Sequence, residues 1–290
     1  MHAAAPPDSA SSVDASPVEA FRVAAEPFYL SVGDEVPLFE AAWRERMPVL
    51  LKGPTGCGKT RFVEYMSWRL GQRESGAGPG MPLVTISCHE DLTATDLVGR
   101  YLLSADGTQW LDGPLTRAVK RGGLCYLDEV VEARKDTIVV IHSLTDHRRL
   151  LPIEKKGELL RAHPDFLLVV SYNPGYQSTI KDLKHSTRQR FISIEFDYPA
   201  QGIEQRIIAR EARVEPEIAS SLALIGMQIR HLEQQNLLEG PSTRLLIYAG
   251  RLIAQGVAPR RACDVAIVQA MTDDPILAKG VRQVVEAVLP

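Results

Sequence analysis

Residues Gly53-Pro54-Thr55-Gly56-Cys57-Gly58-Lys59-Thr60 fill every fixed position of the pattern G-x-x-x-x-G-K-[ST]. Such a loop dictates its surroundings. Its glycines let consecutive backbone N–H groups curl around anionic oxygens, a path that Cβ atoms obstruct. Lys59 supplies a fixed cation for β- and γ-phosphates, and the Thr60 hydroxyl is placed to ligate Mg2+. The apolar run Pro48–Leu51 reads as a buried strand entering the loop. Arg61 to Leu70 reads as a helix leaving it, with its positive end toward the phosphates. The ligand class implied is a nucleoside triphosphate with Mg2+, cradled by Gly53 through Arg61.

Four more short apolar runs follow: Leu83–Ser87, Leu124–Leu127, Leu167–Tyr172 and Ile192–Phe196. Each is separated from the next by enough chain for a crossover helix. That spacing predicts an α/β fold, a mostly parallel sheet flanked by helices, with ligand chemistry at the carboxyl ends of the strands. Ahead of the loop, Phe28–Gly33 reads as extended and Asp34–Arg46 as an amphipathic helix. Beyond Pro199-Ala200 apolar residues recur at helical spacing, as in Leu222, Leu224, Ile225, Ile229 and Leu232. The expected organisation is a tail at 1–26, a nucleotide-binding domain at 27–199 and a helical lid at 200–290. Met1–Pro17, rich in Ala, Pro and Ser, reads as disordered rather than as a secretion signal.

Leu124-Cys125-Tyr126-Leu127-Asp128-Glu129 is an apolar strand ending in two acids. Beside a phosphate loop, Asp128 would hold Mg2+ through its water shell, and Glu129 would polarise the water attacking the γ-phosphate. A dedicated water activator argues against a small-molecule kinase. Asn173 follows the strand Leu167–Tyr172, where its amide could orient that water or simply suit the turn before Pro174-Gly175. Arg188 and Arg190, just before the last strand, could each reach a neighbouring copy's γ-phosphate or form exposed ion pairs. Arg244, opening a lid helix in Ser242-Thr243-Arg244, offers one more cation for the phosphates.

A formal charge of −3 and a pI near 6.2 give no general pull toward nucleic acid or anionic lipid. No apolar stretch approaches the roughly 20 residues that span a bilayer, so membrane insertion is not expected. Cys57, Cys88, Cys125 and Cys263 are scattered without C-x-x-C spacing and read as reduced thiols of a cytoplasmic protein. Cys57 is either oxidation-sensitive or a small residue filling a permissive position. His89, His142, His147 and His163 lack metal-site pairing, so no transition-metal centre is expected. Two segments look like attachments for work on a macromolecule, His89–Leu115 and the hairpin-like His147–Pro164; Tyr101 and Trp110 are either exposed grips or packed aromatics. The glycine-rich stretch Gly71 to Gly80 reads as a loop extension without consequence.

The order of these motifs resembles AAA+ ATPases, with an αβα phosphate-loop domain and a helical lid. The segments His89–Leu115 and His147–Pro164 resemble the helix-2 insert and pre-sensor hairpin of the MoxR branch. LKGPTGCGKTRFVEYM, CHEDLTATDLVGR, DGPLTRAV, CYLDEVVEARKD, SYNPGYQS and STRQRF closely resemble the CbbQ/NorQ/NirQ group within it. The resemblance implies ATP and Mg2+ as cofactors, Asn173 as sensor one, Arg190 or Arg188 as a trans arginine finger and Arg244 as sensor two. It also implies a homo-hexameric ring working with a von Willebrand factor A domain partner. For CbbQ-like members the client implied is inhibited Rubisco; for NorQ- and NirQ-like members it is nitric oxide reductase. The stretches Glu26–Tyr29 and Phe62–Trp68 lean toward the Rubisco-linked members.

Overall fold

The computed structural model describes residues 22–75, 80–104, 107–174, 183–233 and 240–289. Most of the expected tail therefore lies outside the described residues. So does the stretch after Pro174 that includes Gly175. Arg22 is already attached, bridging Pro82 and donating to the Gly80 carbonyl at 3.0 Å.

Five strands form one parallel sheet: β1 (Val49–Lys52), β2 (Leu83–Ser87), β5 (Gly123–Asp128), β8 (Phe166–Tyr172) and β9 (Ile192–Glu195), in the order β2-β5-β8-β1-β9. From β1 the chain crosses to the far edge at β2, then returns through β5 and β8 and passes over β1 to β9. Connections of opposite sense leave β1 and β8, and with right-handed crossovers they put helices on both faces. A crevice opens where these neighbours diverge, at their carboxyl ends.

Alternation along the strands sorts the two cores. Val49, Leu51, Leu83, Leu124, Tyr126, Leu167 and Val169 face α1 (Glu35–Arg44) and α2 (Lys59–Ser75), packing on Phe39, Phe62, Val63, Met66 and Leu70. Leu50, Val84, Ile86, Cys125, Leu127, Leu168 and Val170 face α3 (Ala94–Val98), α4 (Pro114–Arg121) and α5 (Lys135–His142). Strands β5 and β8 are apolar on both faces because both are covered.

Helix α2 runs past the expected end at Leu70 and takes in Gly71, which corrects the loop reading of that glycine. A Cβ on Gly71 would lie 2.5 Å from the Met81 nitrogen and 2.6 Å from the Gly80 carbonyl carbon. The returning chain crosses the helix here, sealed by Met81 N–H to Ser67 O at 2.8 Å and Ser67 Oγ to Met81 O at 2.7 Å. Residues 76–79 lie outside the described ones.

The two attachments are antiparallel hairpins, β3 (Gly99–Ser104) with β4 (Gly107–Asp112) and β6 (Leu150–Ile153) with β7 (Glu158–Arg161). On the first, half-exposed Tyr101 meets Trp110 edge-on at 5.0 Å, so that pair is packed against itself as well as open to solvent. A short helix, α6 (His185–Arg188), precedes β9.

After β9 every element among the described residues is helical: α7 (Gln201–Ala212), α8 (Pro216–Glu233), α9 (Thr243–Ala254), α10 (Pro259–Cys263), a π-helical turn at Asp264–Val268, α11 (Gln269–Met271) and α12 (Pro275–Val288). Three of them open on proline, whose missing N–H has no intrahelical partner at that position anyway. Their apolar faces bury a separate core around Ile208, Leu222, Ile225, Leu246, Ile267 and Val281. No helix among the described residues is long and apolar enough to cross a membrane.

Candidate nucleotide site

The loop leaving β1 turns into α2 at Lys59. Lys59 is 7% exposed, and its Nζ donates to Gly53 O at 2.7 Å, Pro54 O at 2.9 Å and Asn173 Oδ1 at 2.7 Å. A lysine has no acceptor atom, so the Asn173 oxygen must face it and the amide nitrogen must face away. That nitrogen donates to Thr55 Oγ1 at 3.0 Å and Glu129 Oε1 at 3.4 Å. One side chain at the end of β8 thus ties the phosphate loop to the acidic end of β5. Gly56, at φ +70, is needed for a second reason: a Cβ there would lie 2.6 Å from the Cβ of Ser242, the residue capping α9.

Asp128 closes β5. Its Oδ1 accepts from the Tyr126 hydroxyl at 2.7 Å and the Ser171 hydroxyl at 2.6 Å, while Oδ2 lies 3.4 Å from Thr60 Oγ1. Burial, then the Asp128 charge, keep the Tyr126 phenol protonated and therefore a donor. Glu129 sits in the left-handed region at φ 55, ψ 49, and its N–H donates to Ser171 Oγ at 3.0 Å. A non-glycine residue there stores strain that its surroundings must hold.

These groups share a cleft of about 510 Å3, lined by Thr55 to Arg61, Asp128, Glu129, Asn173 and the lid residues Thr243, Arg244, Ile247 and Tyr248. Arg61 also pairs with Glu64 at 3.3 Å and Glu211 at 3.9 Å. Gly53 and Pro54 lie behind the lining and hold Lys59 through their carbonyls. Arg188 and Arg190 do not line this cleft. Arg188 donates from Nε to Leu183 O at 3.2 Å, whereas exposed Arg190 reaches His142 O at 3.4 Å. Arg190 opens onto a different cavity, between α5 and the two hairpins.

Burial pushes the Cys57 thiol up, against the pull of Lys59, and pushes Cys88, Cys125 and Cys263 up to about 12. Of the two readings of Cys57, the buried and protonated thiol favours the space-filling one.

Two site residues escaped the motif reading, Tyr126 and Ser171. Their signal is present in the strings LCYLD and LLVVSY, where Tyr126 and Ser171 place hydroxyls in buried, largely apolar strands. A buried hydroxyl requires a partner.

Residues 48–191 match the AAA domain of the dynein-related subfamily, and residues 204–288 match the CbbQ/NirQ/NorQ C-terminal family. Protein CbbQ of Hydrogenophilus thermoluteolus is 56% identical over 262 residues, covering 90% of this chain and 95% of that protein. The chain belongs to the CbbQ/NirQ/NorQ group. The denitrification regulatory protein NirQ of Pseudomonas aeruginosa is 55% identical, covering 90% of this chain and 97% of that one. In fold, this CbbQ/NirQ/NorQ-group chain is similar to a solved RuvB variant from Thermotoga maritima, with a TM-score of 0.51, 17% identity, and coverage of 88% and 71% of the two chains. As a member of this group it is an AAA+ ATPase, an ATP-hydrolysing enzyme.

Proposed function

We propose that the chain is the ATP-driven motor of a hexameric ring that reactivates inhibited Rubisco together with a von Willebrand factor A domain partner. The observation that carries the motor reading is the meeting of Lys59, Thr60, Asp128, Glu129 and Asn173 in one cleft, with Arg190 directed elsewhere on the surface. In this reading Lys59 and the loop amides hold the β- and γ-phosphates of ATP, and Arg61 and Arg244 add charge at the rim. The Thr60 hydroxyl and the Asp128 carboxylate are hard oxygen donors on one side of the loop, and they would hold Mg2+. That ion, when bound, neutralises charge on the phosphate oxygens.

Glu129 takes the proton of a water whose oxygen bonds to the γ-phosphorus as the bond to ADP breaks, releasing ADP and phosphate. Asn173, already bonded to Glu129, orients that water. Arg190 of a second copy supplies the remaining positive charge, an arrangement that contributes about 10³–10⁵ in rate where it occurs. Arg188, tethered to Leu183, is the less suited of the two candidates. Hydrolysis at each seam then moves the lid of one copy against its neighbour, and that movement remodels the client.

The Rubisco assignment rests on the resemblance of Glu26–Tyr29 and Phe62–Trp68 to the Rubisco-linked members. A second reading, maturation of nitric oxide reductase in denitrification, is favoured by the near-equal similarity to NirQ, 55% against 56% for CbbQ. Carboxylation by inhibited Rubisco, measured with ATP, this protein and the partner, separates them. Recovered activity supports the first reading. An active ATPase that leaves Rubisco inhibited removes it and turns attention to the reductase.

A further inference from the structure

Segment Phe28–Gly33 has no regular secondary structure, yet Phe28, Tyr29, Leu30 and Val32 line the nucleotide cleft. The lining divides by chemistry. The phosphate loop, Asp128, Glu129, Asn173 and Arg244 bring charge and hydrogen-bonding groups. Phe28, Leu30, Val32, Ile207 and Ile247 bring the apolar surface that suits a heteroaromatic base.

An irregular segment keeps one shape only where its polar groups are satisfied by something fixed. Here that is Glu35, the first residue of α1 and 3% exposed. Its Oε1 accepts from the Tyr29 hydroxyl at 2.7 Å, the Ser31 hydroxyl at 2.8 Å and the Val32 N–H at 2.9 Å. Its Oε2 accepts from the Gly33 N–H at 2.8 Å. Among the described residues no lysine or arginine forms an ion pair with it, so these four dipoles and the positive end of α1 balance its charge. Burial alone would raise the carboxyl's pKa; the donors outweigh burial and hold it below its ordinary value. Carboxylate and segment fix each other.

We propose that Glu35 is a positioning residue for nucleobase recognition: it folds Tyr29–Gly33 into the wall that receives the base, without touching the nucleotide itself. This rests on the nucleotide reading of the cleft given above.

The test compares two ligands on the full-length protein, the magnesium complex of ATP and that of tripolyphosphate, which has the phosphate chain but no nucleoside. Glu35→Gln keeps size but turns one acceptor into a donor facing bound donors. ATP dissociation should rise about tenfold, while tripolyphosphate dissociation changes by less than about twofold. Tyr29→Phe keeps the ring contacts with Phe62 and Tyr65 at 5.4 and 5.2 Å and loses only the hydroxyl. It should weaken ATP in the same sense by a smaller factor. Parallel losses for both ligands would make Glu35 a general fold determinant and overturn the assignment. So would unchanged ATP binding in both variants. Wild-type protein that bound neither ligand would instead remove the nucleotide reading of the cleft.

Discussion

Ser171 donates its hydroxyl hydrogen to Asp128 Oδ1 at 2.6 Å. Ser171 Oγ in turn accepts the Glu129 N–H at 3.0 Å, so one buried hydroxyl orients the proposed metal carboxylate and pins the strained backbone of the proposed water activator. Ser171 lies on β8, two residues before Asn173, and the neighbouring strand thus presents both acids from behind.

Ser171→Ala should therefore lower kcat while sparing ATP affinity. An unmade hydrogen bond at a buried group costs about 1–3 kcal/mol, a loss of roughly fivefold to 150-fold. The Mg2+ concentration for half-maximal rate should rise, because Asp128 loses a donor that holds its rotamer. Steady-state rates against Mg2+, alongside ATP binding, check this. Ser171→Thr retains the hydroxyl and should recover much of the rate.

Glu129→Gln separates a motor from a scaffold that needs only bound ATP. The variant keeps the bond from Asn173 in reach but cannot take a proton. ATP should bind with wild-type affinity and turnover should fall by about 10²–10⁴, with client activity lost as well. Retained client activity would identify a scaffold.

Arg190 has a local reporter. Burial, then the cations Arg190 and Lys184, hold His142 below the ordinary imidazole value. The folded value is thus lower than the unfolded one, and wild-type stability declines as pH falls through the ordinary histidine range. Arg190→Ala removes one repelling charge, so the His142 midpoint should move up and that decline should lessen. Histidine NMR titration of the two proteins reads the shift.

Gly71→Ala tests the crossing of α2 by the returning chain. Alanine is the better helix former, yet its Cβ would lie 2.5 Å from the Met81 nitrogen. Overpacking of this kind costs about 1–3 kcal/mol, so calorimetry should show a lower Tm. A raised Tm would mean the crossing is loose.

Legibility followed the range of each interaction. The phosphate loop, the Asp128–Glu129 strand end and the second hairpin are written in consecutive residues, and the central strands were readable because β5 and β8, covered on both faces, are largely apolar. Gly71 misled because glycine normally breaks a helix; only the crossing segment at Gly80–Met81 reveals why Cβ is missing. Ser171 acts through long-range contacts that no single motif contains; the partners of Glu35 are local, Tyr29 to Gly33, but they follow no recognised pattern. Arg188 and Arg190, two residues apart, became distinct once Leu183 was seen to hold the first. Helical spacing of apolar residues made the C-terminal helices readable, but the π turn at Asp264–Val268 left no comparable trace.

Phosphate release from rings mixed from Arg190→Ala and Lys59→Ala subunits tests most directly whether catalysis is shared across a seam. Each variant alone should be nearly inactive, the first for want of the neighbour's guanidinium and the second for want of bound ATP. Mixed rings should regain hydrolysis, because a Lys59→Ala subunit still offers Arg190 to an intact site beside it. Verified mixed rings that release no more phosphate than either parent would contradict the account.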